Sequence, residues 1–328
     1  MKLNLLLFFF STLVTLSWAQ TPNLSKYNEE IKKVEKTVKY FEVEKINDQF
    51  YMLIGGGGNV GIYISDENVV MVDNKYEIIE EVLMSSLREI TAKPIKYIIN
   101  THYHHDHSDG NRAFGKMGIP IISHENAKIR MQKVTTLYGG IYDFIDGFVQ
   151  GQYPSEALPI ITYNSKLTLS EGGEAIEMYN FGSGHTDGDT IIYFKNANIM
   201  HTGDAFVRYG YPYVDLNNGG SIKGIIEVLG SIAALADDQT VIMPGHGNLS
   251  SKQDVLDLRD SLMNLYQKTI LGLENGRSYQ EIADSIEETL VGDPNMPKAE
   301  ITKTNYIKSI ELELKNYSWL QEVFSFEK

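Results

Sequence analysis

The sequence predicts an α/β layered domain, and three observations carry the prediction. Short β-branched and aromatic runs alternate with helical patterns along the middle of the chain. Turn-forming residues such as Asp66-Glu67-Asn68 separate them. Segments rich in His, Asp and Gly recur just after apolar runs, at the strand ends where α/β proteins usually assemble their sites. The 328 residues, 42% of them hydrophobic, suffice for a sizeable core. A net charge of −14 argues against a nucleic-acid partner, because phosphate contacts need clustered Lys and Arg. Cysteine is absent, which removes disulfides, thiolate nucleophiles and sulfur ligands together. Any metal must therefore be held by nitrogen and oxygen.

The N-terminus reads as an export signal. Lys2 is the only charge before the apolar run Leu3 to Trp18, and Ser17-Trp18-Ala19 sets small residues before a cut at Gln20. The apolar run is shorter than the ~20 residues a membrane span prefers, so a cleaved signal peptide over residues 1–19 is expected, with no stable membrane anchor afterwards. The mature protein is expected to be soluble and secreted or periplasmic. A polar leader follows at 20–38, partly helical from Tyr27 to Val38, and one domain accounts for 39–328.

Strands are expected at Lys39 to Glu44, Phe50 to Ile54, Val60 to Ile64 and Val69 to Val72. Gly55-Gly56-Gly57-Gly58-Asn59 precedes neither a helix nor Gly-Lys-Ser/Thr, so it reads as a flexible hairpin tip rather than a phosphate loop. Tyr76 to Ile90 sets Ile78, Ile79, Val82, Leu83 and Leu87 on one side of a helix. A strand at 95–99, a His-rich loop, a short helix from Asn111, a strand at Ile119 to Ile122 and a helix at Glu125 to Val134 follow. Residues 135–160 break the rhythm. Tyr138, Tyr142, Phe144, Phe148 and Tyr153 sit there among Gly and Pro, either as a substrate-covering flap or as an irregular segment packed on the core. Strands resume at Lys166 to Leu169, Ala175 to Tyr179, Thr190 to Phe194 and Ile199 to Met200. A helix at Ile222 to Leu235, a strand at Thr240 to Met243 and helices at Lys252 to Glu274, Ser278 to Leu290 and Asn305 to Lys315 close the chain.

The chemistry is concentrated in His102-Tyr103-His104-His105-Asp106-His107. Five of the eight residues from Asn100 to His107 are His or Asp, in a chain with only 8 His. Imidazole and carboxylate at this density on a strand-end loop suit divalent metal ions; the competing reading is a solvated His-rich turn. Gly184-His185-Thr186-Asp187-Gly188, His201-Thr202-Gly203-Asp204 and Pro244-Gly245-His246-Gly247 share that character, each following a strand, and Asp73 ends another.

Taken in order, these segments resemble the metallo-β-lactamase superfamily over roughly residues 45–250. The resemblance implies an αββα sandwich, two mixed sheets face to face with helices outside, and makes 39–328 a catalytic domain with C-terminal helices. It implies two zinc ions per chain, with His102, His104 and His185 ligating the first and Asp106, His107 and His246 the second. Asp204 falls where the family places a bridging carboxylate, and Asp73 where an aspartate orients the ligands from behind. His105 reads as a loop residue, His201 as a packed group beside the turn, and His124 as the start of a helix.

The implied reaction is hydrolysis of a small molecule by a metal-bridging hydroxide, with Asp106 guiding the proton. No protein nucleophile is required, which agrees with the lack of Cys and of a Gly-x-Ser-x-Gly elbow. An amide or lactam, a lactone or a (thio)ester is the expected target, β-lactams included. The missing cysteine excludes the Cys-ligand β-lactamases, and Asp204 brings the pattern closer to glyoxalase II-type thioesterases and lactonases. Asp187 and Asp189 depart from the Pro and the Ser or His more usual near the third-ligand motif, which leaves the subfamily open. Arg208 is a candidate anchor for a substrate carboxylate against a plain surface arginine, with Tyr209, Tyr211 and Tyr213 as candidates for the same rim. Two other readings stand beside the hydrolase: an iron-dependent dioxygenase on the same scaffold, and a metal-binding or sensing protein without turnover.

Overall fold

β-Branched runs buried on both faces build the frame of the protein, whose computed structural model describes residues 41–136, 149–287, 290 and 301–325. The signal peptide, the leader and Tyr138, Tyr142, Phe144 and Phe148 lie outside the described residues. The first sheet begins with β1 (Glu42–Lys45), β2 (Phe50–Ile54), β3 (Val60–Ile64) and β4 (Val69–Val72), an antiparallel meander. It continues in parallel through β5 (Ile95–Ile99) and β6 (Ile121–His124). Next come β7 (Thr135–Thr136) and β8 (Val149–Gln150), a separate two-stranded ribbon, and then β9 (Ile161–Tyr163), which pairs parallel to β6 and completes seven strands. The second sheet has five strands: β10 (Lys166–Glu171), β11 (Glu174–Tyr179), β12 (Ile191–Phe194), β13 (Ile199–His201) and β14 (Val241–Met243). These pair antiparallel except for β13 and β14, which run parallel.

Helices are α1 (Glu80–Ile90), α2 (His105–Ser108), α3 (Asn111–Lys116), α4 (Glu125–Met131), α5 (Ile222–Leu235), α6 (Lys252–Glu274), α7 (Tyr279–Asp284) and α8 (Lys303–Ser325). Strand alternation assigns each core its side chains. Ile192 and Phe194 of β12 point at the first sheet and pack with Phe50, Tyr63, Val70 and Ile99, whereas Ile191 points away, into a cluster with Ile225, Leu229, Val255 and Leu262 of α5 and α6. Phe50 stacks on Tyr63 at 4.8 Å and meets the edge of Phe194 at 5.0 Å, pairs each contributing about 0.5–1.5 kcal/mol beyond their buried area. The layering is the expected αββα sandwich.

Glu313 ties α8 into this frame. Its carboxylate accepts from Ser221 Oγ at 2.6 Å, Ile222 N at 3.0 Å and Lys223 N at 3.3 Å, so a side chain of the C-terminal helix satisfies the first amides of α5.

Several expectations shift. The helix from Ser278 ends at Asp284, and the helix placed at Asn305 to Lys315 runs from Lys303 to Ser325. The His-rich loop contains a helical turn, α2, because the amides of His107 and Ser108 both turn back to His104 O at 3.0 Å. β9 was hidden by the irregular composition around it. Gly55–Asn59 is no free hairpin tip: Gly58 and Asn59 are buried, and Asn59 Nδ2 donates to Pro244 O at 2.9 Å and Gly247 O at 2.7 Å.

The topology explains why the chemistry gathers on one edge. β11 and β13 both run antiparallel to β12, and β14 runs with β13, so all three strands end on the same side. β4 and β5 also run together, and they deliver Asp73 and the His-rich segment.

Candidate metal centre

The parallel ends of β4 and β5 bring Asp73 beneath the His-rich segment. Asp73 takes a left-handed φ of +62°, unusual for a residue with a Cβ and a local strain of order 1–3 kcal/mol. In return its carboxylate faces the segment squarely. Oδ1 accepts from Thr101 N at 2.7 Å, and Oδ2 accepts from Thr101 Oγ1 and His107 Nδ1, both at 2.7 Å.

These partners fix which ring nitrogen of each histidine is left to bind. His107 spends Nδ1–H on Asp73. Thr101 spends its proton on Asp73 as well, so it accepts from His102 Nδ1 at 3.0 Å, and His102 Nε2 keeps a bare lone pair. His185 donates Nδ1–H to Tyr213 O at 2.7 Å, and His104 Nε2 lies 3.0 Å from Asp215 Oδ2. The nitrogens that remain are His102 Nε2, His104 Nδ1 and His185 Nε2. They lie 3.1, 3.2 and 2.8 Å from one another. Three buried lone pairs at such range repel unless a cation sits between them. The donor set therefore fits a metal ion.

A second cluster adjoins the first. His107 Nε2 and His246 Nε2 are 3.3 Å apart, and Asp106 Oδ2 lies 3.6 and 3.3 Å from them. Asp204 stands between the clusters, with Oδ1 at 3.1 Å from His107 Nε2 and Oδ2 at 3.4 Å from His246 Nε2 and 3.7 Å from His185 Nε2. Asp204 Oδ1 is buried yet accepts no well-directed hydrogen bond, as expected of an oxygen reserved for a metal. Gly245 permits the approach, because a Cβ there would overlap Asp204 Oδ1.

The electrostatics of the two clusters differ. Burial and the neighbouring imidazoles of His107, His185 and His104 hold His102 well below its ordinary range, and burial with His104 takes His185 down to about 4. Both are neutral at pH 7, ready to ligate. Burial opposes charge on His246 too, but Asp204 and Asp106 outweigh it and push His246 up to about 9. His107 is raised in the same way. Burial likewise works against charge on Asp106 and Asp204, yet the facing imidazoles hold both well below the usual carboxylate range. A dication would take the place of the protons held in this second cluster.

All seven residues expected as metal ligands thus converge, with Asp73 behind them. Of the substrate candidates, Arg208 donates its amide to His246 O at 3.0 Å while its Nη1 is ion-paired with Asp254 at 2.8 Å, and the Tyr211 ring packs on Tyr306 at 5.4 Å. Tyr209 borders His246 at 5.5 Å, and Tyr213 borders His185 at 5.7 Å. His105 is half-buried beside Tyr76, His201 is buried with Nδ1 accepting from Gly203 N at 3.2 Å, and His124 caps α4 by accepting from Asn126 N. Tyr153 is buried and bonds Ser108 at 2.9 Å, packed rather than flap-like.

Asp215 was missed. It lies in the polar turn Asp215-Leu216-Asn217-Asn218-Gly219, which follows no recognisable strand, and turn composition was its only signal. Thr101 and the carbonyl of Tyr213 were equally invisible.

The fold and the convergent His/Asp donors define a metallo-hydrolase scaffold. The family model for the metallo-beta-lactamase superfamily matches residues 53–270, and the chain belongs to that superfamily. A probable metallo-hydrolase of Methanocaldococcus jannaschii is 26% identical over 207 residues, 60% of this chain and 91% of that protein. A linear primary-alkylsulfatase of a Pseudomonas strain is 20% identical over 255 residues, and the match spans 48% of its length. Among solved structures, a metallo-beta-lactamase from Pontibacter korlensis superposes with a TM-score of 0.54 at 20% identity, covering 67% of this chain and 99% of that one. At that identity the likeness establishes the fold alone.

Proposed function

We propose that the protein is a dinuclear zinc hydrolase of a small molecule carrying a lactam or amide, lactone or (thio)ester bond. The observation that carries this reading is Asp204, whose two oxygens face two donor clusters at once. His102, His104 and His185 would hold one ion and Asp106, His107 and His246 the other. Ions held there would supply Lewis acidity toward the scissile carbonyl and a bound water whose pKa is lowered toward 7.

The chain's own residues do the rest. Asp73, Thr101, Asp215 and the Tyr213 carbonyl orient the rings of His107, His102, His104 and His185, so these four present their ligating nitrogens without reorganisation. Asp106 is ionised and its side chain is 18% exposed, which lets it orient the attacking water and receive its proton before returning it to the leaving group. Asp204, also ionised, offsets the positive charge gathered at the centre. Nitrogen and oxygen donors without sulfur suit zinc. The similarity to an alkylsulfatase adds sulfate esters as a second substrate class. Export through the N-terminal signal would place this activity in a secreted or periplasmic space.

Metal analysis of the purified protein tests the reading first, followed by a hydrolysis screen with nitrocefin, acyl-homoserine lactones, thioesters and alkyl sulfates. Two zinc ions per chain and hydrolysis of one of these classes are expected. A single tightly held iron with substrate-dependent oxygen uptake would replace it with the dioxygenase reading. Native kcat in Asp204→Ala would remove the bridging role.

A further inference from the structure

We propose that Lys75, which is not a metal-ligand candidate, is the positioning residue of the second metal cluster. The inference rests on the dinuclear reading above and goes beyond its ligand set. Lys75 is fully buried and, like Asp73, adopts a left-handed backbone, at φ +58°. Its Nζ donates to Gly55 O at 2.6 Å and to Gly58 O, reaches Leu53 O at 3.4 Å, and sits 5.0 Å from the Phe41 ring. A buried ammonium is costly unless carbonyl oxygens of this kind surround it, so the contacts are held strongly or the side chain is expelled.

What Lys75 joins gives it its role. Its main chain and that of its neighbour are fastened to the His-rich segment and the turn after it, since Gly110 N donates to Lys75 O at 2.9 Å and Asn74 N donates to His107 O at 2.8 Å. Its side chain is fastened to the glycine loop. That loop rests on the second cluster: Gly58 N donates to Asp106 O at 3.2 Å, and Gly58 lies against the His107 ring so closely that a Cβ would collide with it. The next residue, Asn59, grips the His246 loop through Gly245 O at 2.7 Å, Pro244 O and Gly247 O. Lys75 therefore closes a circuit from Asp106 and His107, through the glycine loop, to His246. Those are the three donors of one cluster. The three-histidine cluster is held by Thr101, Asp215 and Tyr213 instead.

The test is stepwise zinc binding, read by competition with a chromophoric chelator, in the wild type, Lys75→Met and Lys75→Gln. Wild type is expected to take two zinc ions. Both variants are expected to keep the first dissociation constant within about twofold and to weaken the second by about 10–100-fold, the range typical of lost support behind a ligand. Gln, whose amide still donates to carbonyls, is expected to lose less than Met. Asn59→Ala, which cuts the same circuit at its other end, is expected to reproduce the selective loss without touching the buried amine. Equal weakening of both sites in Lys75→Gln and Asn59→Ala, or of neither, overturns the inference. So does a tighter second site, which would mean that Lys75 acts by charge repulsion. A wild type that binds one ion only overturns the dinuclear reading itself and this inference with it, a result distinct from the others.

Discussion

Asp215 Oδ2 lies 3.0 Å from His104 Nε2, and the same carboxylate is held by Tyr103 and by Asn218 Nδ2 at 2.9 Å. Asp215 N also donates to His185 O at 2.9 Å, so one residue braces two of the three imidazoles in the first cluster. Asp215→Ala is expected to weaken zinc binding at that cluster by about 10–100-fold. Chelator competition measures it, and an unchanged first dissociation constant would show that packing alone holds His104.

Asp73 serves both clusters, because it bonds His107 directly and His102 through Thr101. Asp73→Asn keeps the volume but replaces an acceptor oxygen with a donor. Both zinc affinities should fall together in the same titration, in contrast to the selective loss expected for Lys75 variants. A loss confined to one cluster would mean that Thr101 holds His102 unaided.

Burial pushes Lys75 down to about 7 from an ordinary 10.5. Between those values the unfolded chain binds more protons than the folded one, so this residue makes stability rise with pH over that window. Lys75→Met lacks the effect. The Tm of metal-free wild type, measured against that of metal-free Lys75→Met, should therefore improve from pH 7 to about 9.5. A pH-independent difference would show that the amine is not titrating there.

A Cβ at Gly245 would overlap Asp204 Oδ1 and crowd the Gly203 backbone. Gly245→Ala is expected to cost about 1–3 kcal/mol of stability, as overpacking typically does. It should also reduce turnover of any substrate found by at least about 100-fold, in line with misplacement near reacting groups. Urea unfolding and steady-state kinetics check the two effects separately. Wild-type turnover would show that Asp204 can shift without consequence.

The ligands were legible in the sequence because they are chemically unusual residues at strand ends: a cluster such as His102 to His107 has few uses besides metal. The strands Val60–Ile64 and Val69–Val72 were legible because burial on both faces demands nearly unbroken apolar runs, and Phe50–Ile54 and Ile95–Ile99 because they too are short, β-branched or aromatic stretches. What supports the ligands was not. Lys75 reads as an ordinary surface lysine until the fold closes over it, and Asp215 as one more turn aspartate. Tyr213 contributes a carbonyl, which no side-chain pattern announces. Arg208 was legible as a candidate anchor, but its ion-pair partner was not, because Asp254 arrives from a helix far along the chain.

The donor clusters draw on both sheets, with Asp106 and His107 from the first and His185, Asp204 and His246 from the second. In a chain without a single cysteine, two bound ions would act as reversible cross-links, pinning segments far apart in sequence and stabilising the fold by mass action as long as they bind the folded chain alone. Chelation should accordingly lower the Tm, and the lost stability should return in proportion to the logarithm of free zinc. On that view the centre is a staple as well as a catalyst, and metal supply sets how long the sandwich stays shut.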